Sequence, residues 1–289
     1  MSQFFQYVIG GMTSGSIYAL VAVGFILAYN VSKVVNFAQG EYVMLGGLSA
    51  SFFMKWLPFH PVVSGLLSIV FVGVLSILFY MLFIEGRRQA DHLTITLITL
   101  GSSMMFMGLA AIVFDRNPHS NPPFSGSDTF DVFGAAISPQ TLWVLGIAIA
   151  MIVSLNLFLN HTGTGRMMKA CAENEELLRL SGANTKRLFR MSFALGGVIG
   201  SIGGIIISPI SFTSYDIGGL MGIKGLIAAV LGGLGSYNGA LLGGLSIGLM
   251  ESLGAGYISS HAKDLIAFCL LIVLLLVRPS GLLGRREKP

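Results

Sequence analysis

The polar side chain whose position most clearly indicates a chemical role is the carboxylate of Glu251. It lies near the middle of an apolar run over residues 239–259. Inserting a carboxylate at the centre of a bilayer costs roughly 2.5–3.5 kcal/mol or more, so we expect Glu251 to face other helices or a cavity. Two interpretations stay open: Glu251 lines a path for a solute, or it is protonated or paired and holds helices together. No strongly placed basic partner is evident within the apolar runs, so simple ion pairing is not obvious from the sequence.

Three further polar side chains, Asn36, Gln39 and Glu41, stand where a second apolar run begins. Polar groups are tolerated at membrane depth when they line a cavity or satisfy broken backbone. The segment therefore predicts either part of a polar path through a membrane or an interfacial loop with exposed polar residues.

A stripe of hydroxyl groups occurs in the apolar run over 93–114, where Thr96, Thr99 and Ser103 are spaced i, i+3 and i+7. This spacing puts them on one helix face. Such hydroxyls commonly bond a carbonyl one turn earlier in their own helix, or bond across to a neighbouring helix. The stripe is therefore interpreted either as helix packing or as part of the same polar path.

Motifs for catalysis or nucleotide binding are missing or out of context. Residues 244–248 read G-L-S-I-G, which matches the nucleophile elbow of hydrolases, but that elbow joins a strand to a helix and this match lies inside an apolar run. The sequence contains no phosphate-binding loop of the G-x-x-x-x-G-K-[ST] type. Cys171 and Cys269 indicate neither a disulfide nor a metal framework. We therefore expect no catalytic residues, no metal and no cofactor bound by this chain.

The elements that must position these side chains are transmembrane helices. Of the 289 residues, 54% are hydrophobic and 10% are charged, with a mean hydropathy of +0.80, whereas a soluble domain carries about 25% charged residues. We predict an all-α polytopic bundle forming a single membrane domain over 1–289, with about nine spans and a range of eight to ten. The apolar runs cover 4–29, 38–57, 61–84, 93–114, 140–160, 191–212, 219–236, 239–259 and 263–277.

The basic residues indicate the orientation of the chain. Most of the 17 Lys and Arg residues fall in three segments: 85–92, 161–190 and the tail after 277. An even number of predicted spans lies between each segment and the next. All three can face the cytoplasm, as the positive-inside rule expects. We therefore predict a bacterial inner-membrane protein with a cytoplasmic C-terminus and an outer N-terminus. The net charge of +4 does not indicate nucleic acid as a partner, because no basic face with interleaved aromatics is formed.

The segment 161–190 is long for a connection in this chain and has helix-forming composition from Gly165 to Leu180. Met168, Cys171 and Ala172 give it one modest apolar stripe, and Gly182 ends it. A short amphipathic helix between two spans favours docking against a soluble partner domain. The alternative is a solvated loop whose basic residues only set the orientation.

Several segments, taken in order, resemble one family. They cover essentially the whole chain and are similar to the branched-chain amino acid ABC transporter permeases, specifically the LivH-type subunit. The segments are N-F-A-Q-G-E at 36–41, A-C-A-E-N at 170–174, G-A-N-T at 182–185, G-I-K-G at 222–225, the glycine-rich run over 228–240, G-G-L-S-I-G-L-M-E at 243–251 and R-P-S-G-L-L-G at 278–284.

The resemblance implies partners and roles for these residues. It implies a pore in the lipid bilayer shared with a second, LivM-type permease subunit, two cytoplasmic ATPase subunits that use ATP, and a periplasmic substrate-binding protein. The segment 166–182 would be the coupling helix that contacts an ATPase. Its candidate contact residues are Arg166, Lys169, Ala170, Cys171, Glu173 and Asn174. The candidate path residues are Asn36, Gln39, Glu41, Thr96, Thr99, Ser103 and Glu251.

The substrate and the transport class have alternatives. Leucine, isoleucine and valine are the first expectation, while related permeases serve urea, amides or other amino acids. A secondary transporter or a channel is the alternative from another class, because such proteins carry intramembrane ionisable groups and broken helices. Glu251 and the glycine-rich run over 219–236 are compatible with that class. The pore could be a heterodimer, as the resemblance implies, or a homodimer.

Overall fold

The computed structural model describes residues 2–56, 60–88, 90–126, 128–132, 135–259 and 281–283, with single positions at 265, 268, 269, 272, 273 and 276. These residues are mostly helical, as the sequence predicts. A π-helical turn at Tyr80–Ile84 and a 3-10 turn at Glu85–Arg87 prolong α3, and strands β1 (Phe130–Val132) and β2 (Ala135–Ile137) form an antiparallel hairpin. The helices are α1 Ser2–Ser32, α2 Gln39–Trp56, α3 Pro61–Phe79, α4 His92–Val113, α5 Pro139–His161, α6 Gly163–Glu173, α7 Glu175–Leu180, α8 Thr185–Ile207, α9 Ile217–Gly232 and α10 Tyr237–Tyr257.

Five helices in the described part of the chain are long and apolar enough to cross a bilayer: α1, α3 with its extension, α4, α5 and α8. The pair α9 and α10 passes the same test jointly and is bent by 120° at the break between them. A helical membrane bundle is therefore confirmed, whereas the count of nine spans is not. The predicted sixth span begins at Thr185 rather than residue 191, and the predicted ninth, 263–277, lies outside the continuously described residues.

Helix α2 begins inside the bundle rather than at its end. The chain turns back after α1 at Lys33, whose φ is 56°, and α2 then starts at Gln39. The Gln39 side chain packs against Gly24, where a Cβ atom would lie 2.0 Å from Nε2. Because Gly24 precedes the end of α1 by about 12 Å of helix rise, residues 33–38 re-enter the bundle, and only the Gly24 backbone leaves room for the amide.

Backbone contacts between glycine-bearing faces hold the main helices together. Helices α1 and α10 run antiparallel, and a Cβ atom on Gly248 would lie 2.3 Å from the carbonyl oxygen of Gly11. Helices α2 and α8 approach as closely. A Cβ atom on Gly204 would lie 1.9 Å from the carbonyl oxygen of Val43. Close approach at small residues is the usual packing of lipid-embedded helices, where no hydrophobic effect drives association.

The predicted helix over 166–182 is two helices, so its single-helix boundaries are wrong. Thr162 caps α6 by accepting the N–H of Gly165 at 3.0 Å. Asn174 ends α6 and caps α7, because its Oδ1 accepts the N–H of Leu177 at 2.9 Å. Gly182, with φ of +86°, follows α7 in the left-handed conformation that glycine tolerates. We call the end of the bundle that carries α6 and α7 the α6 end, and the opposite end the far end.

Candidate functional site

Glu251 lies on α10 with 1% of its surface exposed, in a three-residue polar cluster between α1, α9 and α10. The Tyr18 hydroxyl of α1 donates to Glu251 Oε2 at 2.7 Å. The Lys224 ammonium of α9 lies 2.6 Å from Glu251 Oε1 and 3.4 Å from the Tyr18 oxygen. We call these three residues the Tyr18–Lys224–Glu251 cluster.

The expectation that Glu251 lacks a basic partner within the apolar runs is wrong. Lys224 is the single charged residue of α9, and Glu251 is the single charged residue of α10. That coincidence on two consecutive apolar helices was the signal that could have paired them. A buried charge is tolerated when it is paired and hydrogen-bonded, and both conditions hold for Glu251.

Two cavities adjoin this cluster. The first has a volume of about 360 Å³, includes Glu251 in its lining, and is otherwise bordered by α1 and α10. The second has a volume of about 260 Å³ and includes Tyr18 together with Ile17, Ile207 and Met221. Both cavities share Gly10 and Ser14 of α1, so they flank the same stretch of that helix. Of the charged pair, Glu251 is in the lining of the first cavity. The second cavity combines aliphatic side chains with hydroxyl groups.

The polar residues at the start of α2 are buried, so their interpretation as an exposed interfacial loop is wrong. Asn36, Gln39 and Glu41 are each 1% exposed. Asn36 accepts the N–H of Ala38 at 3.1 Å, which closes a turn just before α2. Gln39 donates to the Gly196 carbonyl at 2.9 Å. These bonds satisfy the backbone and anchor the point where the chain re-enters the bundle.

Glu41 connects two other helices at this level. Its Oε1 accepts a hydrogen bond from Ser103 of α4 at 2.8 Å. Its other oxygen lies against Gly218 at the start of α9, where a Cβ atom would be 2.1 Å away. The α2 start therefore joins helices that come from distant parts of the sequence.

The predicted hydroxyl stripe on α4 is divided in its contacts. Thr96 donates to the His92 carbonyl at 2.8 Å, and Thr99 donates to the Thr96 carbonyl at 2.9 Å. These are bonds within one helix, as the packing interpretation expects. Ser103 alone of the three bonds a polar side chain, that of Glu41, so the structure brings Ser103 and Glu41 together.

Helix α6 has one buried face and one exposed face. Gly165, Met168 and Cys171 are buried against the bundle, as the predicted apolar stripe requires for the last two. The remaining candidate contact residues, Arg166, Lys169, Ala170, Glu173 and Asn174, are exposed.

Cys171 does not belong with those exposed residues. It is 2% exposed and faces the bundle, so its assignment as a contact residue for a partner is wrong. Burial raises the pKa of the Cys171 thiol, because a thiolate is poorly solvated there.

Two ion pairs fix the α6 end and were not predicted from the sequence. Arg88 pairs with Glu175 of α7, and its guanidinium also stacks 3.6 Å from the centre of the Phe189 ring of α8. Arg190 makes two hydrogen bonds to Glu85, at 2.9 and 2.8 Å. We call the Arg88 contacts the Arg88 brace. The two pairs connect α7 and α8 to the end of α3.

Acidic, histidine and cysteine side chains form no group of three or more that could hold a metal ion among the residues described. The buried polar clusters combine the carboxylates of Glu41 and Glu251, the Lys224 ammonium, amides and hydroxyls. Their arrangement suits the binding and passage of a polar solute between helices, since polar groups inside a membrane mark such pathways.

Comparison with known proteins gives relatives that match almost the full length of the chain. It is 31% identical to the high-affinity branched-chain amino acid transport system permease protein LivH of Escherichia coli K12, over 98% of this chain and 96% of that protein. It is 30% identical to the corresponding permease protein BraD of Pseudomonas aeruginosa, over 98% and 97%. The ribose import permease protein RbsC of E. coli K12 is more distant, at 23% identity over 91% and 82%.

A solved structure shares the fold. PsaBC from Streptococcus pneumoniae in complex with Fab matches with a TM-score of 0.53, 10% sequence identity, and coverage of 97% of this chain and 93% of that one. The family model described as the branched-chain amino acid transport system permease component matches residues 7–275. This chain therefore belongs to the family of branched-chain amino acid transport system permease components.

Proposed function

We propose that this chain is the LivH-type permease subunit of an ATP-driven importer for the branched-chain amino acids leucine, isoleucine and valine. The observation that carries the proposal is the 31% identity, over 98% of the chain, to a permease of a high-affinity system for these solutes. The chain itself transports and catalyses no reaction. ATP is used by partner subunits, and this chain binds no cofactor.

The complete importer contains a second, LivM-type permease subunit, two cytoplasmic ATPase subunits and a periplasmic substrate-binding protein. The chain lies in the bacterial inner membrane with its C-terminus in the cytoplasm. The α6 end then faces the cytoplasm, a placement supported by its content of basic residues, among them Arg88, Arg166 and Lys186.

The exposed face of α6 is the surface that contacts an ATPase. Arg166, Lys169, Ala170, Glu173 and Asn174 are available there. Cys171 and Met168 instead pack α6 onto the bundle. A force applied to this face is passed on through the Arg88 brace to α8 and the end of α3.

Transport follows from two conformations that different partners favour. ATP binding to the ATPases moves α6, and the substrate-loaded binding protein favours the outward-open state. Within the bundle, the candidate path residues provide buried amides, carboxylates and hydroxyls at the α2 start and at the Tyr18–Lys224–Glu251 cluster. A zwitterion with an aliphatic side chain needs only a few such groups along a mostly apolar path.

Reversal of charge at Glu173 tests the coupling surface. The Glu173→Arg variant of the reconstituted importer should lose ATP-driven leucine uptake, because the exposed face of α6 no longer matches its partner. The variant should keep the thermal stability of the wild type, since Glu173 is exposed.

The matched control is Asp91→Arg, which makes the same change of charge at an exposed position of the α6 end outside α6 and α7. It should keep uptake near the wild-type rate. Uptake by Glu173→Arg at the wild-type rate would contradict the coupling role of α6. If the unmutated protein instead took up leucine on an ion gradient without ATP, it would be a secondary transporter.

A further inference from the structure

We propose that Lys224 and Glu251 form a subsite for a zwitterionic amino acid, whose ammonium pairs with Glu251, whose carboxylate pairs with Lys224, and whose side chain lies in the isoleucine-lined cavity. This inference rests on the proposed function in taking the solute to be an amino acid. It adds which groups of the chain recognise that solute and why a neutral amide or urea is not recognised.

The balance of charge at the site is the first argument. Lys224 and Glu251 lie 2.6 Å apart, with Glu251 1% and Lys224 14% exposed. Each charge would be costly to bury alone, but the pair is neutral overall. A zwitterion that inserts between them gives each side chain a new opposite charge. Both the empty and the occupied site are therefore neutral, which neither an anion nor a cation would achieve.

The position of Glu251 and its hydrogen-bond partner Tyr18 on two neighbouring cavities is the second argument. Glu251 lines the cavity of about 360 Å³, and its neighbour Tyr18 lines the cavity of about 260 Å³. The Tyr18 hydroxyl donates to Glu251 Oε2, which leaves Oε1 as the oxygen facing Lys224. Tyr18 thus fixes one carboxylate oxygen and directs the other toward the exchangeable partner.

The lining of the second cavity is the third argument. Its aliphatic part consists of Ile17, Ile207, Ile210 and Met221, and hydroxyls of Thr13 and Thr141 border it. A branched aliphatic side chain buries apolar surface against such a lining. Met221 precedes Lys224 by one turn of α9, so one helix face carries both the ammonium and the edge of the apolar cavity.

Urea and simple amides lack the two charges. They cannot compensate Lys224 and Glu251 when the pair opens, so the cost of separating two buried charges opposes their binding. The subsite therefore favours amino acids over neutral solutes of similar size.

The competing explanation is that the pair only fastens α9 to α1 and α10. Reversing the pair separates the two explanations. The double variant Lys224→Glu/Glu251→Lys keeps an ion pair between the same helices. It reverses the order of charges, so a leucine bound in it would direct its side chain away from the isoleucine-lined cavity.

The experiment uses the complete importer in proteoliposomes, with thermal stability measured on the same preparations. Lys224→Met and Glu251→Gln should each lower leucine uptake by roughly tenfold or more, because one buried charge loses its partner. The double variant should regain thermal stability but not uptake. Wild-type uptake by the double variant, or by either single variant, would overturn the subsite. Absence of ATP-dependent uptake in the wild type would instead overturn the proposed function.

A second measurement does not depend on transport. Ser14→Cys places a thiol between the two cavities, in a background in which Cys171 and Cys269 are replaced by serine. Millimolar leucine should slow alkylation of this thiol, whereas leucinamide and urea should not. Added Glu251→Gln should abolish the protection.

The matched control is Met12→Cys, two residues earlier on the exposed face of α1, where leucine should have no effect. Equal rates at Ser14→Cys with and without leucine would overturn the subsite. So would equal protection by leucinamide.

Discussion

Cys171 and Glu173 lie two residues apart in α6 and have opposite surroundings. The thiol of Cys171 packs against the bundle, while Glu173 is exposed. The difference arises because α6 is amphipathic and turns about 200° over two residues. Only one of the two can therefore meet a partner.

The burial of Cys171 predicts slow alkylation. In the folded permease, N-ethylmaleimide should modify Cys171 roughly tenfold more slowly than the thiol of Glu173→Cys in a Cys269→Ser background, because access is blocked and a raised pKa lowers the thiolate fraction. Since the pKa is raised, the rate at Cys171 should continue to rise at a pH where an ordinary thiol has levelled off. Mass spectrometry of the modified peptide measures both rates. Equal rates at the two positions would show that Cys171 is accessible.

The environment of single residues was predictable only in part. The burial of Glu251 follows from the cost of a charge in lipid, and the structure agrees. Its pairing with Lys224 did not follow, because hydropathy gives no information on which helix faces which. The Ser103–Glu41 bond joins residues 62 apart, and spacing within one helix cannot predict such a contact.

Breaks between helices define how the elements of this bundle are arranged. The Asn174 junction divides a segment that was predicted as one helix, and a bend of 120° joins α9 and α10, which were predicted as two separate spans. The α2 start lies where the second apolar run was predicted to begin, but inside the bundle. The Asn174 break had a visible signal, because asparagine followed by Glu175 and Glu176 is typical of a helix N-terminus. The depth at which α2 starts had none, since it depends on contacts with Gly24 and Gly196.

The contact between α2 and α8 predicts different responses at two adjacent glycines. Gly204→Ala should destabilise the permease by about 1–3 kcal/mol, because its Cβ atom would meet the Val43 backbone, which cannot rotate away. Gly203→Ala should cost nothing and could gain up to about 1 kcal/mol from helix propensity, since its nearest neighbour would be 4.0 Å away. Thermal unfolding in detergent compares the two. Equal stability of both variants would contradict the close approach of α2 and α8.

The exposed face of α6 and the β1–β2 hairpin lie at opposite ends of the molecule. The α6 end carries the exposed face of α6 and the Arg88 brace, whereas the hairpin of β1 and β2 lies at the far end, on the other side of α5. The helical class was predictable from composition alone. The number of spans was not, because α9 and α10 were predicted as two separate spans but pass the test for a membrane span only as one bent pair, and α2 is not among the helices apolar enough to cross a bilayer.

The orientation predicts opposite labelling at the two ends. A membrane-impermeant maleimide should label Asp128→Cys in intact spheroplasts and Arg179→Cys only after lysis, because the proposed orientation puts the basic α6 end in the cytoplasm. Both positions are exposed, so burial does not account for a difference. The background again has Cys171 and Cys269 replaced by serine. The reverse pattern would invert the molecule and would remove α6 from the reach of a cytoplasmic ATPase.

The pairing of α1 with α10 constrains the order of assembly during synthesis. Tyr18 and Glu251 are 233 residues apart, so α1 enters the membrane long before its main partner has been translated. Thr13 and Ser16 bond carbonyls of α1 itself, each at 2.8 Å, and can wait in lipid without a partner. The Tyr18 hydroxyl cannot do so, since it bonds Glu251. A chain whose synthesis stops before α10 would therefore hold a complete α1 in the bilayer without the helix that packs along it.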